Sequence, residues 1–265
     1  MNRNGLSLNG LSLNGLSLNG LSTNGLAFNG LSTASLASSS FQSWFQSDPV
    51  LGDMVMSYVV RCAVPSGESR SYGTHTWQGA LGLAPSWSNG AAASLTEQRL
   101  VSACLAAHAN KYGVHVALSV LGKKATGEVI PIGSDELMRF PEREGCFFGN
   151  LFNNDGVYVG NDGRTLTSSE SSPRACAFAH SGETPTQQCT PIVRVAPSCA
   201  QLCTPDSTGR FYVSCTYNGV TYPALTTRIG LTDIDTCGNG TCDPGERCGT
   251  GTTYNSCASD CGACQ

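Results

Sequence analysis

Apolar and polar positions follow three different rules along this chain. Leucine recurs at every fifth residue at its start, at Leu6, Leu11, Leu16, Leu21, Leu26 and Leu31, each preceded by Asn-Gly, and Leu36 and Phe41 continue the frame. A period of five fits neither an amphipathic helix, with its period of about 3.6, nor a half-buried strand, with its period of about 2. It predicts stacked units, each burying its apolar residue against the next. The middle of the chain reads as ordinary globular sequence. Met54 to Ala63, a mostly apolar run ended by Pro65-Ser66-Gly67, predicts a buried strand, and Thr74 to Gln78 a short one. Ser94-Leu95-Thr96-Glu97 is a capping box that opens one main helix over roughly 95–112, with Leu100, Cys104 and Ala107 on one face and Gly113 as its stop.

Strand patterns dominate after that helix. Val114 to Leu121 alternates, Gly122-Lys123-Lys124 turns the chain, and Glu128 to Ile132 is the expected partner. Cys146 to Phe152 reads as a buried strand, and Asn154-Asp155-Gly156 and Asn161-Asp162-Gly163 bracket Val157-Tyr158-Val159 as in a meander. Residues 166–209 are loop-like, and Phe211–Tyr217 and Val220–Leu225 flank Asn218-Gly219 as a hairpin. Three units are therefore expected: a repeat over 1–47, a domain over 48–235 and a cysteine-rich module over 236–265. The fold class is α+β, with a β-rich, disulfide-braced domain carrying one main helix, a solenoid-like repeat before it and a small disulfide module after it. Phe41, Trp44 and Phe45 are expected to close the end of the repeat, and Asp48-Pro49 to break the pattern.

The Asn-Gly-Leu frame resembles the pentapeptide-repeat solenoids, in which a central Leu or Phe points into a four-sided coil. Where those solenoids prefer a small residue, this chain has Asn, including Asn9, Asn14 and Asn19, so the resemblance implies a ladder of hydrogen-bonded amides along the stack. The other reading of this stretch is a flexible low-complexity linker. A leucine every five residues, with no charge between Arg3 and Asp48, favours the coil. The tail, with Cys237-Gly238-Asn239-Gly240-Thr241-Cys242-Asp243-Pro244-Gly245-Glu246 and later Ser259-Asp260-Cys261-Gly262, resembles short cysteine-rich modules on secreted and surface proteins of bacteria. That resemblance implies no enzymatic role for the tail.

Composition narrows the setting. The chain has 265 residues, 13% of them charged, and a net charge of −4, which gives no basic face for nucleic acid. No apolar run reaches the roughly 18 residues of a membrane span. Fourteen cysteines, Cys62, Cys104, Cys146, Cys176, Cys189, Cys199, Cys203, Cys215, Cys237, Cys242, Cys248, Cys257, Cys261 and Cys264, predict up to seven disulfides and an oxidising compartment, secreted or at the cell surface. Met1-Asn2-Arg3 shows no apolar signal segment before the repeat. The cysteine count outweighs this, being a property of the whole chain.

Candidate chemistry is sparse. Cys104 and His108 stand one helical turn apart, as a thiolate and its base would, although a Cys62–Cys104 disulfide with His108 on the surface explains them better. Glu142 and Glu144 would share a strand face as an acid/base pair, but read more simply as solvated charges. Tyr72, Trp77 and Trp87 would make a sugar platform or, more simply, core. Asn153, Asp155 and Asp162, or Asn239, Asp243, Glu246 and Asp260 in the tail, offer hard oxygens for Ca²⁺. Turn chemistry and disulfides suffice for both groups, so neither cofactor nor metal is assigned. The expected function is that of a non-enzymatic secreted or cell-surface protein, self-associating or bound to a surface glycan or protein through the repeat. The alternative is a secreted hydrolase with its active site in the middle domain.

Overall fold

The computed structural model describes residues 2–4, 6–7, 29–110, 115–153, 155–174, 176–181, 187–189, 191–250 and 255–264; for 2–7, 187 and 188 it describes the backbone course alone. Leu11, Leu16, Leu21, Leu26, Asn9, Asn14 and Asn19 lie outside these residues, and Leu6 is described only as a backbone pair with Ala109.

The last members of the five-residue frame are helical and lie in the core. Leu31 is fully buried, and its amide donates to the carbonyl of Trp87 at 2.9 Å. Three helices follow, each begun by a side chain that accepts an otherwise unpaired backbone N–H. Ser32 caps α1 (Thr33–Leu36), Ser38 caps α2 (Ser39–Ser47), and Asp48 caps α3 (Pro49–Ala63) by accepting from Leu51 at 3.0 Å. Asp48-Pro49 is thus a helix start, with proline in the first turn, where its missing N–H costs nothing. Phe41 and Phe45 do not cover the end of a coil. They are buried in the same core cluster as Val55, Val59 and Val60 of α3.

The expected strand over Met54–Ala63 is therefore corrected to the second half of α3. Its buried residues include Gly52, Val55, Met56, Val59, Val60 and Ala63, which is helical spacing of three and four. The density of apolar residues conceals this period, because tyrosine and serine fall where a strand would also tolerate them.

Helix α4 (Leu95–His108) has the expected capping box, with Ser94 and Glu97 bonding reciprocally. It ends at His108, because Ala109–Asn110 leaves the helix to pair with Leu6–Ser7; Gly113 lies outside the described residues. Leu100, Val101, Cys104, Leu105 and His108 are all buried, so almost the whole circumference of its second half is covered.

What covers it is α3 on one side and a seven-stranded sheet on the other. The main strands are β1 (Val116–Gly122), β2 (Glu142–Asn150), β3 (Gly156–Asn161), β4 (Ile192–Arg194), β5 (Tyr212–Tyr217), β6 (Val220–Pro223) and β7 (Leu225–Ile229). The sheet runs Asn2–Asn4, β1, β7, β2, β3, β4, Gln187–Cys189, antiparallel except between β3 and β4. The expected partner of β1, Glu128–Ile132, contributes a single bridge at Val129, and the full partner is β7 from a hundred residues downstream. The β2–β3 and β5–β6 hairpins are as expected. In the second, Asn218 and Gly219 both take positive φ (48° and 77°), as the tight turn requires.

Strand β2 divides the interior. Phe147 packs with the helices, while Cys146 and Phe148 on the opposite face join Tyr212, Cys215 and Tyr222 of the β5–β6 layer. The architecture is α+β with several sheets, and no described helix is long and apolar enough to cross a membrane.

Candidate functional site

All fourteen cysteines are bridged: Cys62–Cys104, Cys146–Cys199, Cys176–Cys189, Cys203–Cys215, Cys237–Cys257, Cys242–Cys261 and Cys248–Cys264. None is free to act as a nucleophile. Such a framework persists where thiols are oxidised, as outside the cell.

Cys62–Cys104 joins α3 to α4 and leaves His108 beside it, with Nδ1 at 3.6 Å from Cys104 Sγ. His108 is not on the surface, as the sequence suggests, but fully buried, because α4 runs through the centre of the domain. Its Nδ1–H donates to the Cys104 carbonyl at 2.8 Å, and its Nε2 has no partner. Burial pushes its pKa down to about 3. The bond to the Cys104 carbonyl opposes this, while the charges of Arg61 and Arg174 add to it. The imidazole is therefore neutral at ordinary pH and packs beside Tyr58 as a structural group.

Glu144 is likewise not a solvated charge. It is wholly buried and takes two bonds from the guanidinium of Arg174, at 2.5 and 2.9 Å, while Arg174 also donates to the Ala109 carbonyl at 2.7 Å. A fork of donors matched to both carboxylate oxygens is the arrangement that tolerates burial. Glu142 ends away from it, 3.8 Å from Arg164. The two glutamates share a strand without sharing a function. Arg174 sits in a Ser- and Pro-rich loop, and nothing in the local sequence marks it as a partner.

Trp77 and Trp87 are buried and Tyr72 is half-buried against Phe41 and Phe45, so these rings form core and not a platform. A pair that the sequence did not suggest lies beside them. Asp53 Oδ1 accepts from Trp77 Nε1 and shares a hydrogen bond with His75 Nδ1, both at 2.8 Å. A carboxylate orienting an imidazole is half of a triad, but no hydroxyl or thiol is bonded to His75 among the described residues. The pair ties α3 to the Ser69–Tyr72 and His75–Gln78 hairpin.

The oxygens noted for Ca²⁺ in the turns are taken by protein groups. Asp155 accepts from the Asn153 amide, and Asp162 from Arg143 and the Tyr212 hydroxyl. A cleft of about 270 Å³ opens beside β1, lined by Leu118, Val120, Ile130, Glu136, Arg139 and Phe140. Its carboxylates are also engaged: Glu136 accepts from Ser119 Oγ at 2.6 Å and from the Gly133 N–H at 2.9 Å, and Asp135 pairs with Arg139.

The tail joins the domain through Asp235–Thr236, which pairs with Glu170–Ser171, and through the Cys237 N–H, which donates to the Ser169 carbonyl. Asp235 accepts from the Gly245 N–H at 2.7 Å. Burial raises its carboxyl to about 6; the Gly245 bond opposes this, and the charges of Asp243, Glu246 and Asp233 add to it. Asp260 accepts from the N–H groups of Gly238, Asn239 and Gly240 at 2.7, 3.1 and 3.3 Å. The slight desolvation it suffers is outweighed by these bonds and by one from the Ser259 hydroxyl, which hold its carboxyl below the usual range.

No protein-family model, curated protein or solved structure matches this chain.

Proposed function

We propose that this chain is a non-enzymatic protein of the cell exterior, secreted or surface-bound, that attaches to copies of itself or to a surface glycan or protein through residues 4–33 and displays the disulfide-braced α+β domain. The observation that carries the reading is the cysteine framework: seven bridges and no free thiol, which suits an oxidising exterior and removes thiol chemistry. The candidate pairs for general acid/base work point the same way, since Glu144 is neutralised inside the core and His108 is held neutral. The attachment role rests on the leucine frame. Leu31, the one repeat leucine whose side chain is described, is fully buried against the domain, and an uncharged run with a leucine every five residues calls for burial of the others as well.

Light scattering on the full chain tests this, together with binding to the surface of the producing cells. Leu16→Asp with Leu21→Asp places charge in the stack, where desolvation costs several kcal/mol per unpaired ion. The double variant should lose self-association or cell binding while its domain melts as in the wild type. Equal mass and equal cell binding in both proteins would leave the repeat as a passive linker.

A further inference from the structure

The tail contains a buried carboxylate that its own fold does not satisfy. Glu246 is only 7% exposed; its Oε2 accepts from the Asp243 N–H at 3.1 Å, while its Oε1 is buried with no hydrogen-bond partner. Buried polar atoms are nearly always paired, so an orphaned carboxylate oxygen marks a place where something else donates or coordinates. A second orphan lies close by. Ser171 is 1% exposed and its Oγ also lacks a partner, and a Cβ built on Gly245, next in sequence to Glu246, would stand 3.0 Å from that hydroxyl.

An oxygen of the Glu246 carboxylate also lies within 4.8 Å of an oxygen of Asp260. Ca²⁺ binds oxygen at about 2.3–2.6 Å, so two ligands on opposite sides of the ion stand about 4.8 Å apart. The gap therefore admits the ion with little or no movement. Asp260 is fixed for the task by the three backbone N–H groups of Gly238, Asn239 and Gly240, and a carboxylate with about four acceptor positions keeps some free for a cation. The sulfurs of Cys237 and Cys257 belong to the same cluster. They are bonded to each other, so they offer no thiolate to zinc, and their bridge sets the spacing of the two carboxylates.

We propose that Glu246 and Asp260 hold a calcium ion against the Cys237–Cys257 bridge, with water completing its shell. Hard oxygen ligands select Ca²⁺ or Mg²⁺ over softer metals, and a partial protein shell of loose geometry suits the larger ion better than Mg²⁺, which demands a near-ideal octahedron. With only two protein carboxylates the affinity belongs to the class of extracellular calcium modules, with a dissociation constant of about 10⁻⁴–10⁻³ M. The site goes beyond the attachment reading and does not depend on it: the Leu16→Asp, Leu21→Asp chain should bind calcium unchanged.

The test is calorimetric titration of the chelator-treated, fully oxidised chain with calcium chloride, and separately with magnesium chloride. A saturable heat for a single site is expected, with magnesium roughly tenfold weaker or more. Glu246→Gln should remove it, and Asp155→Asn, in a turn remote from the tail in sequence, should not. Because Asp260→Asn disturbs the turn it caps, Glu246→Gln decides, with its three tail bridges first verified by peptide mapping. A second readout is the rate at which reductant opens Cys237–Cys257, which calcium should slow in the wild type and leave unchanged in Glu246→Gln. No saturable heat up to about 10 mM calcium, or equal affinity in Glu246→Gln and the wild type, overturns the proposal.

Discussion

The central domain and the tail use disulfides for different purposes. In the central domain the bridges reinforce a core that already exists. Cys62–Cys104 links two helices buried among Val55, Val59, Leu100 and Leu105, and Cys146–Cys199 lies beside Phe148 and Tyr212. In the tail, among the described residues, the one buried hydrophobic residue is Cys257 itself, and the other buried groups are Glu246 and Asn255. Three bridges spanning 20, 19 and 16 residues stand where a core would be. Each is worth about 3 kcal/mol by the loop-entropy estimate, which a segment too short to bury apolar surface needs. Where apolar area holds the chain together, buried polar groups must be paired within it, as Glu144 and Arg174 are. Where bridges hold it together, a buried carboxylate can persist unpaired and wait for a ligand.

The largest test of this contrast removes core and leaves every bridge intact. A chain beginning at Asp48 keeps all fourteen cysteines but lacks Leu31, Leu36, Phe41 and Phe45, each of which is buried. Losing a buried Leu or Phe costs about 2–5 kcal/mol, so four of them approach the whole stability of a typical domain, about 5–15 kcal/mol. This chain should show no cooperative thermal transition, whereas one beginning at residue 29 should melt near the wild-type temperature.

The next test breaks the pairing within the core. Glu144→Gln leaves Arg174 buried without its counter-charge and should cost about 3–5 kcal/mol in urea unfolding. Adding Arg174→Met should recover part of that loss, since removing both charges also removes the desolvation penalty. A double variant as unstable as the single one would show that the Arg174 bond to the Ala109 carbonyl, and not the ion pair, is the larger contribution.

The pH dependence gives a smaller effect. His108 is neutral in the fold because burial pushes its pKa to about 3, whereas in the unfolded chain it titrates near 6.5. Above about 6.5 both states are neutral and its contribution is complete. As pH falls from there towards 3, the unfolded chain takes up a proton that the fold refuses, and stability drops by about 1.4 kcal/mol per pH unit. His108→Phe should flatten this slope between pH 6 and 4, and the difference between variant and wild type isolates it from the carboxylates. Parallel slopes would mean that water reaches the ring.

How far the sequence reveals these features depends on how local their cause is. The capping box at Ser94, the Asn218-Gly219 turn and the β2–β3 hairpin are set by neighbours in sequence, and each is where the pattern puts it. The Cys62–Cys104 pair is legible too, because two buried elements each carry one cysteine. Helix α3 is missed because its apolar density resembles a buried strand, and Asp48-Pro49 is taken for a break when it is a cap followed by proline in the first turn. The β1–β7 pairing and the Glu144–Arg174 bond join residues about a hundred and thirty positions apart, respectively, and no local pattern encodes them. In the tail, Glu246 is visible as an oxygen donor, but its burial is not, because that arises from packing against Ser171 and Asp235.

The smallest expected effect is on the domain when the tail is removed. A chain ending at Thr236 loses the bond from the Cys237 N–H to the Ser169 carbonyl and the one from Gly245 to Asp235. It also loses the charges of Asp243 and Glu246 that, with burial, raise the Asp235 carboxyl to about 6. The sign of that second term favours the truncated chain. A carboxyl whose pKa is raised in the fold supports the fold fully below its unfolded value near 4 and loses that support as pH rises through 6, so at neutral pH the docked tail imposes a penalty on Asp235. Two exposed-edge hydrogen bonds, at about 0.5–1.5 kcal/mol each, are set against relief of that penalty, and the net change should be about 1 kcal/mol or less. Thermal melts at pH 7 should therefore nearly coincide for the full and truncated chains, while at pH 4 the full chain should gain relative to the truncated one. A large loss at pH 7 on removing the tail would show that the two regions share a core and that the contrast between them does not hold.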